Sequence, residues 1–196
     1  MTLPDVSAEF STKPTIHGEL VTLRPFEEQD LPALAAAIAD PDVRRLTGSV
    51  HTAADAYGAS AEPDDALRDW YTSRNEQKDR LDLAVVDNAT GECVGEVVLN
   101  MYDEGSSSCN FRTLFGPAGQ GRGLGTEAAR LIVAYGFDEI GLHRISLEVY
   151  AFNPRARRAY EKAGFVAEGT LRHALRFDGE WVDAVVMSML ATDPRP

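Results

Sequence analysis

Apolar and polar residues alternate in seven stretches of this chain. The alternation predicts β-strands, because successive side chains of a strand point to opposite faces of a sheet. The seven stretches cover residues 19–26, 81–87, 93–102, 108–115, 144–150, 165–172 and 181–190. Turn-forming residues at 88–91 and 103–107 separate three of them, so we expect those three strands to form an antiparallel meander.

Helical spacing accounts for much of the remaining chain. Asp30 and Pro32 predict the N-cap and first turn of a helix that ends before Pro41. Asn153 and Gly164 provide a cap and a stop for the last helix of the chain. The other helices are predicted at 42–46, 63–80 and 124–140, and the last one at 154–163.

The order of these elements predicts one α+β domain. A mixed sheet with helices packed on it is implied by the order strand, helices, three antiparallel strands, helix, strand, helix and two strands. Residues 48–62 are small and polar, and we expect them to form a loop near the substrate entrance. Residues 1–15 are predicted to be a flexible tail, and residues 16–196 the domain.

Composition restricts the possible partners. The chain has 196 residues, of which 44% are hydrophobic and 26% charged, as in an ordinary soluble protein. Its net charge of -12 argues against nucleic acid or an anionic membrane surface as a partner, because neutralising phosphates requires a basic face. A cationic substrate is compatible with this charge, although many acidic proteins bind none.

The cysteines, the histidines and the apolar runs exclude further classes. Cys93 and Cys109 lie on separate predicted strands, so we expect two buried free thiols, with a disulfide as the alternative. The four histidines are scattered, and no metal site is expected. The N-terminus lacks a signal pattern and no apolar run is long enough for a membrane span, which predicts a cytoplasmic protein.

The most distinctive stretch is residues 115–126, where five of twelve residues are glycine. It connects a predicted strand to a predicted helix. A helix that begins in such a loop presents unpaired N–H groups and the positive end of its dipole, which together bind anions such as pyrophosphate. The preceding strand belongs to an antiparallel meander, which does not fit a dinucleotide-binding βαβ unit. The loop also lacks the Gly-Lys-Ser/Thr end of a Walker loop.

This loop resembles the acetyl-CoA loop of the GCN5-related N-acetyltransferase (GNAT) superfamily, whose pattern is Gln/Arg-x-x-Gly-x-Gly/Ala. A second motif of that family matches residues 153–165, Asn-Pro-Arg-Ala-Arg-Arg-Ala-Tyr-Glu-Lys-Ala-Gly-Phe. Residues 18–26 and 179–190 look like the ribosomal-protein N-terminal acetyltransferase (RimJ/RimL-like) branch. The resemblance implies a single-domain fold with a mixed, mostly antiparallel sheet that is splayed at the acetyl-CoA site.

The resemblance also implies acetyl-CoA as the co-substrate and assigns residues to it. Backbone N–H groups of residues 121–126 would surround the pyrophosphate, and the pantetheine arm would pair with the strand edge at 113–115. Arg122 would either add positive charge near the phosphates or be a solvated loop residue. Asn153 would contact the cofactor, cap the helix, or do both. The implied cofactor-binding residues are Phe115, Gln120, Gly121, Arg122, Gly123, Leu124, Gly125, Thr126, Asn153 and Arg158.

Two catalytic roles follow from the resemblance and from the chemistry of amine acetylation. Tyr160 matches the family tyrosine near the thioester sulfur, where a phenol can protonate the leaving thiolate. The attacking amine must also lose a proton, and the strand at 109–115 has no carboxylate to accept it. We rank Glu148 first as the general base, and the other candidates are Glu96, Asp103 and Glu104.

The predicted function is transfer of an acetyl group to a primary amine by direct attack in a ternary complex. The acceptor is either a protein N-terminus or a small-molecule amine, and His173 and Asp183 either line its pocket or face water. The alternative function is a non-catalytic module that binds or senses acyl-CoA. The family resemblance is compatible with a homodimer.

Overall fold

In the computed structural model, which describes residues 10–196, eight strands form one sheet in the order β1-β2-β3-β4-β5-β6-β8-β7. The strands are β1 (Ile16–His17), β2 (Val21–Arg24), β3 (Leu81–Asp87), β4 (Cys93–Asp103), β5 (Ser108–Phe115), β6 (Arg144–Tyr150), β7 (Val166–Phe177) and β8 (Glu180–Leu190). The helices are α1 (Leu31–Ala39), α2 (Pro41–Leu46), α3 (Ala53–Ala56), α4 (Asp65–Arg74), α5 (Leu124–Asp138) and α6 (Pro154–Ala163). The predicted α+β fold with a mixed sheet is confirmed.

Several predicted elements have different bounds in the structure. Strand β7 was predicted to end at residue 172 but continues to residue 177, and it is joined to β8 by the two-residue turn of Asp178 and Gly179. Both turn residues have positive φ, 49° and 84°, which gives a turn whose twist matches that of the paired strands. The helix expected over 63–80 is confined to α4, and the expected loop at 48–62 contains the short helix α3.

Asp30 occupies the N-cap position of α1, but the expected side-chain cap is not formed. Its carboxylate is buried and instead accepts two hydrogen bonds from Arg24, at 2.7 and 2.8 Å, and one from the N–H of Glu27. A buried carboxylate is strongly favoured next to a bidentate guanidinium. Asp30 therefore ties the start of α1 to strand β2.

The predicted tail lies partly outside the described residues, and its last part packs on the sheet. Phe10 is fully buried, with its ring 5.3 Å from that of Tyr102. The Lys13 ammonium group donates hydrogen bonds to the carbonyl oxygens of Phe10 and Arg80. The chain is therefore anchored before the predicted boundary at residue 16.

Each face of the sheet is covered by different helices. Helices α5 and α6 cover one face, where Val97, Leu99 and Phe111 belong to the main apolar core. Helices α1 and α4 cover the other face, where Tyr71 packs with a second apolar cluster. Because side chains alternate along a strand, β4 contributes Val97 to the first face and Glu96 to the second.

The sheet opens between β5 and β6. Among the strand pairs of the described residues, this pair alone is parallel, and its pairing covers only Ser108–Arg144, Cys109–Ile145 and Asn110–Ser146. Beyond these pairs the two strands separate, while β5 remains paired to β4 up to Phe115. The predicted splay is thus present, and it exposes backbone groups of residues 111–115 on one edge.

Candidate active site

A cavity of about 300 Å³ lies where β5 and β6 separate. Its walls come from the end of β5, the glycine-rich loop, the exposed side of α6 and helix α2. The lining includes nearly all of the predicted cofactor residues, namely Phe115, Gln120, Gly121, Gly123, Gly125, Thr126, Asn153 and Arg158, together with Tyr160. Residues far apart in sequence are therefore brought together at the splay.

The glycine-rich loop is shaped by two left-handed residues. Gly121 and Gly123 have φ of 78° and 85°, a conformation that costs a side-chain-bearing residue about 1–2 kcal/mol. Gly123 is the N-cap of the 15-residue helix α5. The first N–H groups of a helix have no intrahelical partner and carry partial positive charge. The loop therefore directs an anion-binding helix end into the cavity.

Phe115 explains why other loop positions are glycine. An added Cβ at Gly119 would lie 2.7 Å from the Phe115 ring, and one at Gly125 would lie 3.4 Å from it. The Gln120 amide donates a hydrogen bond of 3.0 Å to the Phe115 carbonyl oxygen. The loop thus folds closely over the end of β5, with Gln120 closing it.

Two of the predicted residues do not direct their side chains into the cavity. The Arg122 guanidinium donates a 2.5 Å hydrogen bond to the buried carboxylate of Asp87, and this contact lowers the pKa of Asp87. The Leu124 side chain is buried in the core under α5. Both residues can contribute their backbone N–H groups, but the side chain of Arg122 anchors the loop to β3.

Helix α6 presents cations to the cavity. Asn153 caps this helix, since its side-chain oxygen accepts the N–H of Ala156 at 3.1 Å. Arg155, Arg158 and Lys162 line the cavity, and within residues 10–196 none of the three forms an ion pair. The neighbouring Arg157 pairs with Glu161 instead. Arg155 was not predicted to be a site residue, although its spacing from Arg158 places both on one side of the helix.

Tyr160 lies on the same helix and at the same cavity. Its ring packs edge-on against Phe111 and Phe165, with ring centres 6.0 and 6.1 Å away. Burial raises the pKa of Tyr160 to about 12. The phenol therefore keeps its proton at neutral pH and can act as a hydrogen-bond donor.

Two of the candidate carboxylates, Glu148 and Glu96, lie on the face of the sheet opposite Tyr160. Glu148 is exposed on β6, two residues beyond Ser146, where pairing with β5 ends. Glu96 lies beside Leu114 across β4 and β5 and hydrogen-bonds with the buried Tyr71. Burial raises the pKa of Glu96, although the hydrogen bond from Tyr71 acts in the opposite direction. Neither carboxylate lines the cavity.

Helix α2 forms a wall that the sequence pattern did not indicate. Val43 and Leu46 of this helix, and Thr47 just after it, line the cavity. The Tyr150 ring lies against Gly48, where an added Cβ would be 2.4 Å from it. The helical pattern of residues 42–46 was recognisable, but its place in the cavity wall depends on the tertiary fold.

Both cysteines are free and buried, so the expected pair of free thiols is confirmed. Cys93 and Cys109 face opposite sides of the sheet, since each belongs to a different apolar cluster. Burial raises the pKa of both thiols to about 12. A buried protonated thiol is a poor nucleophile.

Comparison with known proteins identifies the family. Residues 21–166 match the acetyltransferase (GNAT) domain. The chain belongs to the GNAT family. It is therefore an N-acetyltransferase that uses acetyl-CoA, and the predicted fold, enzyme class and co-substrate are confirmed.

Its relatives differ in the acceptors that their names give. The spermidine N(1)-acetyltransferase of Escherichia coli (strain K12) is 31% identical over 89% of this chain and 87% of its own. YdaF of Bacillus subtilis, whose name points to ribosomal acetylation, is 26% identical over 88% and 92%. The structure of the Vibrio cholerae spermidine N-acetyltransferase with CoA and spermine has a TM-score of 0.75 and 25% identity, over 90% of this chain and 98% of the other.

Residues 10–196 lack two further kinds of feature. In this part of the chain, no group of three or more His, Cys, Asp or Glu side chains is arranged to hold a metal ion. Within the same residues, no helix has the length and apolar character that crossing a membrane requires.

Proposed function

We propose that this GNAT protein acetylates a primary amino group of a small cationic acceptor of the spermidine type. The observation that carries the proposal is the cavity at the splay, where the helix N-terminus, unpaired cations and Tyr160 meet. The acceptor class is supported by the similarity to two spermidine acetyltransferases and by the net charge of -12, which favours cations.

For acetyl-CoA, we propose the following binding mode. The N–H groups of residues 121–126 bind the pyrophosphate, and the unpaired backbone of 113–115 pairs with the pantetheine amides. Asn153 contributes from the start of α6, while Arg158 binds the 3′-phosphate. The three unpaired cations of α6 support this mode, because they provide local positive charge on a strongly acidic protein.

Tyr160 is proposed to stabilise the departing thiolate. With a pKa of about 12, its phenol is a weaker acid than an ordinary thiol, whose pKa is about 8.5. Full proton transfer to the sulfur is therefore uphill. Donation of a hydrogen bond to the developing negative charge is favourable, and stabilisation of this kind contributes strongly to catalysis.

Glu148 is proposed as the general base, as the sequence predicted. It lies on the open stretch of β6, on the sheet face opposite Tyr160. An amine that approaches from that face would have the base on its own side and the hydrogen-bond donor Tyr160 on the far side of the thioester. Direct attack is further supported by the burial of Cys109, which removes the nearest candidate for an acyl-enzyme.

The protein N-terminal acceptor of the RimJ/RimL-like branch is the second candidate. It rests on the sequence resemblance at 18–26 and 179–190 and on the weaker similarity to YdaF. A peptide acceptor needs space for the first side chain and for the backbone that follows its α-amine, whereas a polyamine needs only a narrow, acidic approach.

An acceptor screen tests the proposal. The purified protein would be mixed with acetyl-CoA and spermidine, butylamine, an aminoglycoside or short peptides, and free thiol would be followed. We expect spermidine to give the highest kcat/KM. Preference for a peptide would overturn the small-amine proposal, and thiol release no faster than hydrolysis for every acceptor would favour the non-catalytic module.

A further inference from the structure

A second cavity of about 640 Å³ lies at the tip of the β7–β8 hairpin, beside the turn between β6 and α6. Three aromatic side chains, Phe152, Phe177 and Trp181, contribute to its walls. The Phe152 and Phe177 rings meet at 6.1 Å, and the Trp181 ring is 57% exposed. Ring faces that are partly open to solvent attract cations, because they carry negative quadrupole charge.

Three carboxylates line the same cavity, from Asp178, Glu180 and Asp183. None of them forms an ion pair within residues 10–196. One oxygen of Asp183 accepts the backbone N–H of His173, and one oxygen of Asp178 accepts that of Ala53. These bonds leave the second oxygen of each carboxylate, and both oxygens of Glu180, available to a bound cation.

The cavity walls are held in place by the surrounding chain. The pairing of β7 with β8 is interrupted between Leu171 and Leu175. His173, inside this bulge, has φ of 56° and stacks on Trp181 with an interplanar angle of 13°. At the hairpin tip, Asp178 donates its N–H to the carbonyl oxygen of His51. The cavity is thus preformed rather than assembled by a ligand.

Two arginines lie near the aromatic walls without lining the cavity. The Arg45 guanidinium is 5.4 Å from the Phe152 ring, and that of Arg176 is 5.9 Å from Trp181. Both rings therefore already make cation–π contacts with arginines of the chain. The three carboxylates outnumber them, so the cavity itself retains acidic character.

The cavity adjoins the candidate active site. Phe152 lines the second cavity, and the next residue, Asn153, lines the first. Arg45, which packs on Phe152, belongs to α2, whose Val43 and Leu46 also line the first cavity. The two cavities therefore lie next to each other at the turn at 152–153.

We propose that this aromatic and acidic cavity binds the distal ammonium group of a di- or polyamine while its other amino group is acetylated at the splay. The proposal rests on the proposed acetylation of small cationic amines. It assigns the selection of polyamines over monoamines to Trp181 and Glu180. A monoamine has no second charge to place here and gains nothing from the cavity.

The test compares kinetics with spermidine and with butylamine for Trp181→Leu, Trp181→Phe and Glu180→Gln. We expect Trp181→Leu and Glu180→Gln each to raise KM for spermidine about tenfold, with unchanged kcat and unchanged KM for acetyl-CoA. Trp181→Phe retains an aromatic face and should retain most of the affinity. KM for butylamine should stay the same in all variants. Glu92→Gln, at an exposed carboxylate on the β3–β4 turn, is the matched control.

An unchanged KM for spermidine, or an equal rise for butylamine, would overturn the assignment. Calorimetric titration of spermidine into the same variants separates this inference from the proposed function. Binding that weakens in Trp181→Leu supports the cavity even if no amine is turned over. Binding that is equal in the wild type and Trp181→Leu rejects it.

Discussion

Tyr160 is the residue whose removal should affect the chemical step most directly. Its ring is held by Phe111 and Phe165, and Tyr160→Phe preserves that packing while removing the hydroxyl. We expect kcat to fall about 100-fold with little change in KM for acetyl-CoA, measured by thiol release. The Tyr160 phenol is protonated, and can donate a hydrogen bond, at every pH below its raised pKa. Because it loses this proton only as the pH rises through about 12, wild-type activity should show no alkaline loss from Tyr160 up to about pH 10.

An unchanged kcat in Tyr160→Phe would contradict this role. Thermal unfolding provides the control, because the variant keeps its ring in the core and should unfold at nearly the wild-type temperature. If kcat and the unfolding temperature fell together, the hydroxyl would have a structural role instead.

Glu148 and Glu96 give a matched pair for the general base. Both lie on the sheet face opposite Tyr160, one exposed and one hydrogen-bonded to Tyr71. We expect Glu148→Gln to lower kcat about tenfold to hundredfold at neutral pH, and Glu96→Gln, which removes no proton acceptor from the amine, to leave it within about threefold. The profiles of kcat against pH for both variants are the measurement. Loss of activity in Glu96→Gln alone would transfer the role to Glu96.

At the residue scale, the sequence was most informative where the signal is local. Gly123 and Asn153 lie at helix starts. The positive φ of Gly123 and the hydrogen bond that Asn153 accepts from Ala156 both depend on residues close by in sequence. The side chain of Arg122 was not predictable in this way, because its partner Asp87 is 35 residues earlier in the chain. Asp30 is similar, since Arg24 on β2 competes successfully for its carboxylate.

Helix α6 concentrates function on one element, and its cations can be tested separately. Arg158 lines the cavity without an ion pair, whereas Arg157 on the same helix is paired with Glu161. We expect Arg158→Ala to raise KM for acetyl-CoA about tenfold, as for loss of one charge-assisted phosphate contact. Arg157→Ala is the control and should change KM little.

Kinetics with acetyl-3′-dephospho-CoA show which phosphate of acetyl-CoA Arg158 binds. If Arg158 binds the 3′-phosphate, the wild type and Arg158→Ala should have similar KM values for this analogue. A tenfold difference that persists with the analogue would move Arg158 to the pyrophosphate. An unchanged KM for acetyl-CoA in the variant would remove it from the site.

The bounds of a strand could be predicted from the sequence where polar and apolar residues alternate along its whole length. Strands β3, β5 and β6 begin and end at the predicted residues. Strand β7 was predicted too short, because it lies at the edge of the sheet and most of its side chains are exposed. Its extension to residue 177 comes from pairing with β8 rather than from an apolar pattern.

At the scale of the whole molecule, the net charge has opposite effects on the two substrates. The net charge of -12 attracts a polycation at long range and repels acetyl-CoA. The local cations Arg155, Arg158 and Lys162 counter that repulsion at the first cavity. The sequence supplied the net charge, but only the fold shows that these cations gather at one opening.

This distribution predicts a salt dependence that differs between acceptors. Raising ionic strength to about 0.15 M shortens the screening length to about 8 Å, so kcat/KM for spermidine should fall about threefold to tenfold relative to low salt. Butylamine carries a single charge and should show a clearly smaller decrease. Initial rates at several salt concentrations, with acetyl-CoA saturating, measure both slopes. Equal slopes for the two amines would mean that the acidic surface has no part in attracting the acceptor, and that selection of a polycation rests on contacts inside the cavities alone.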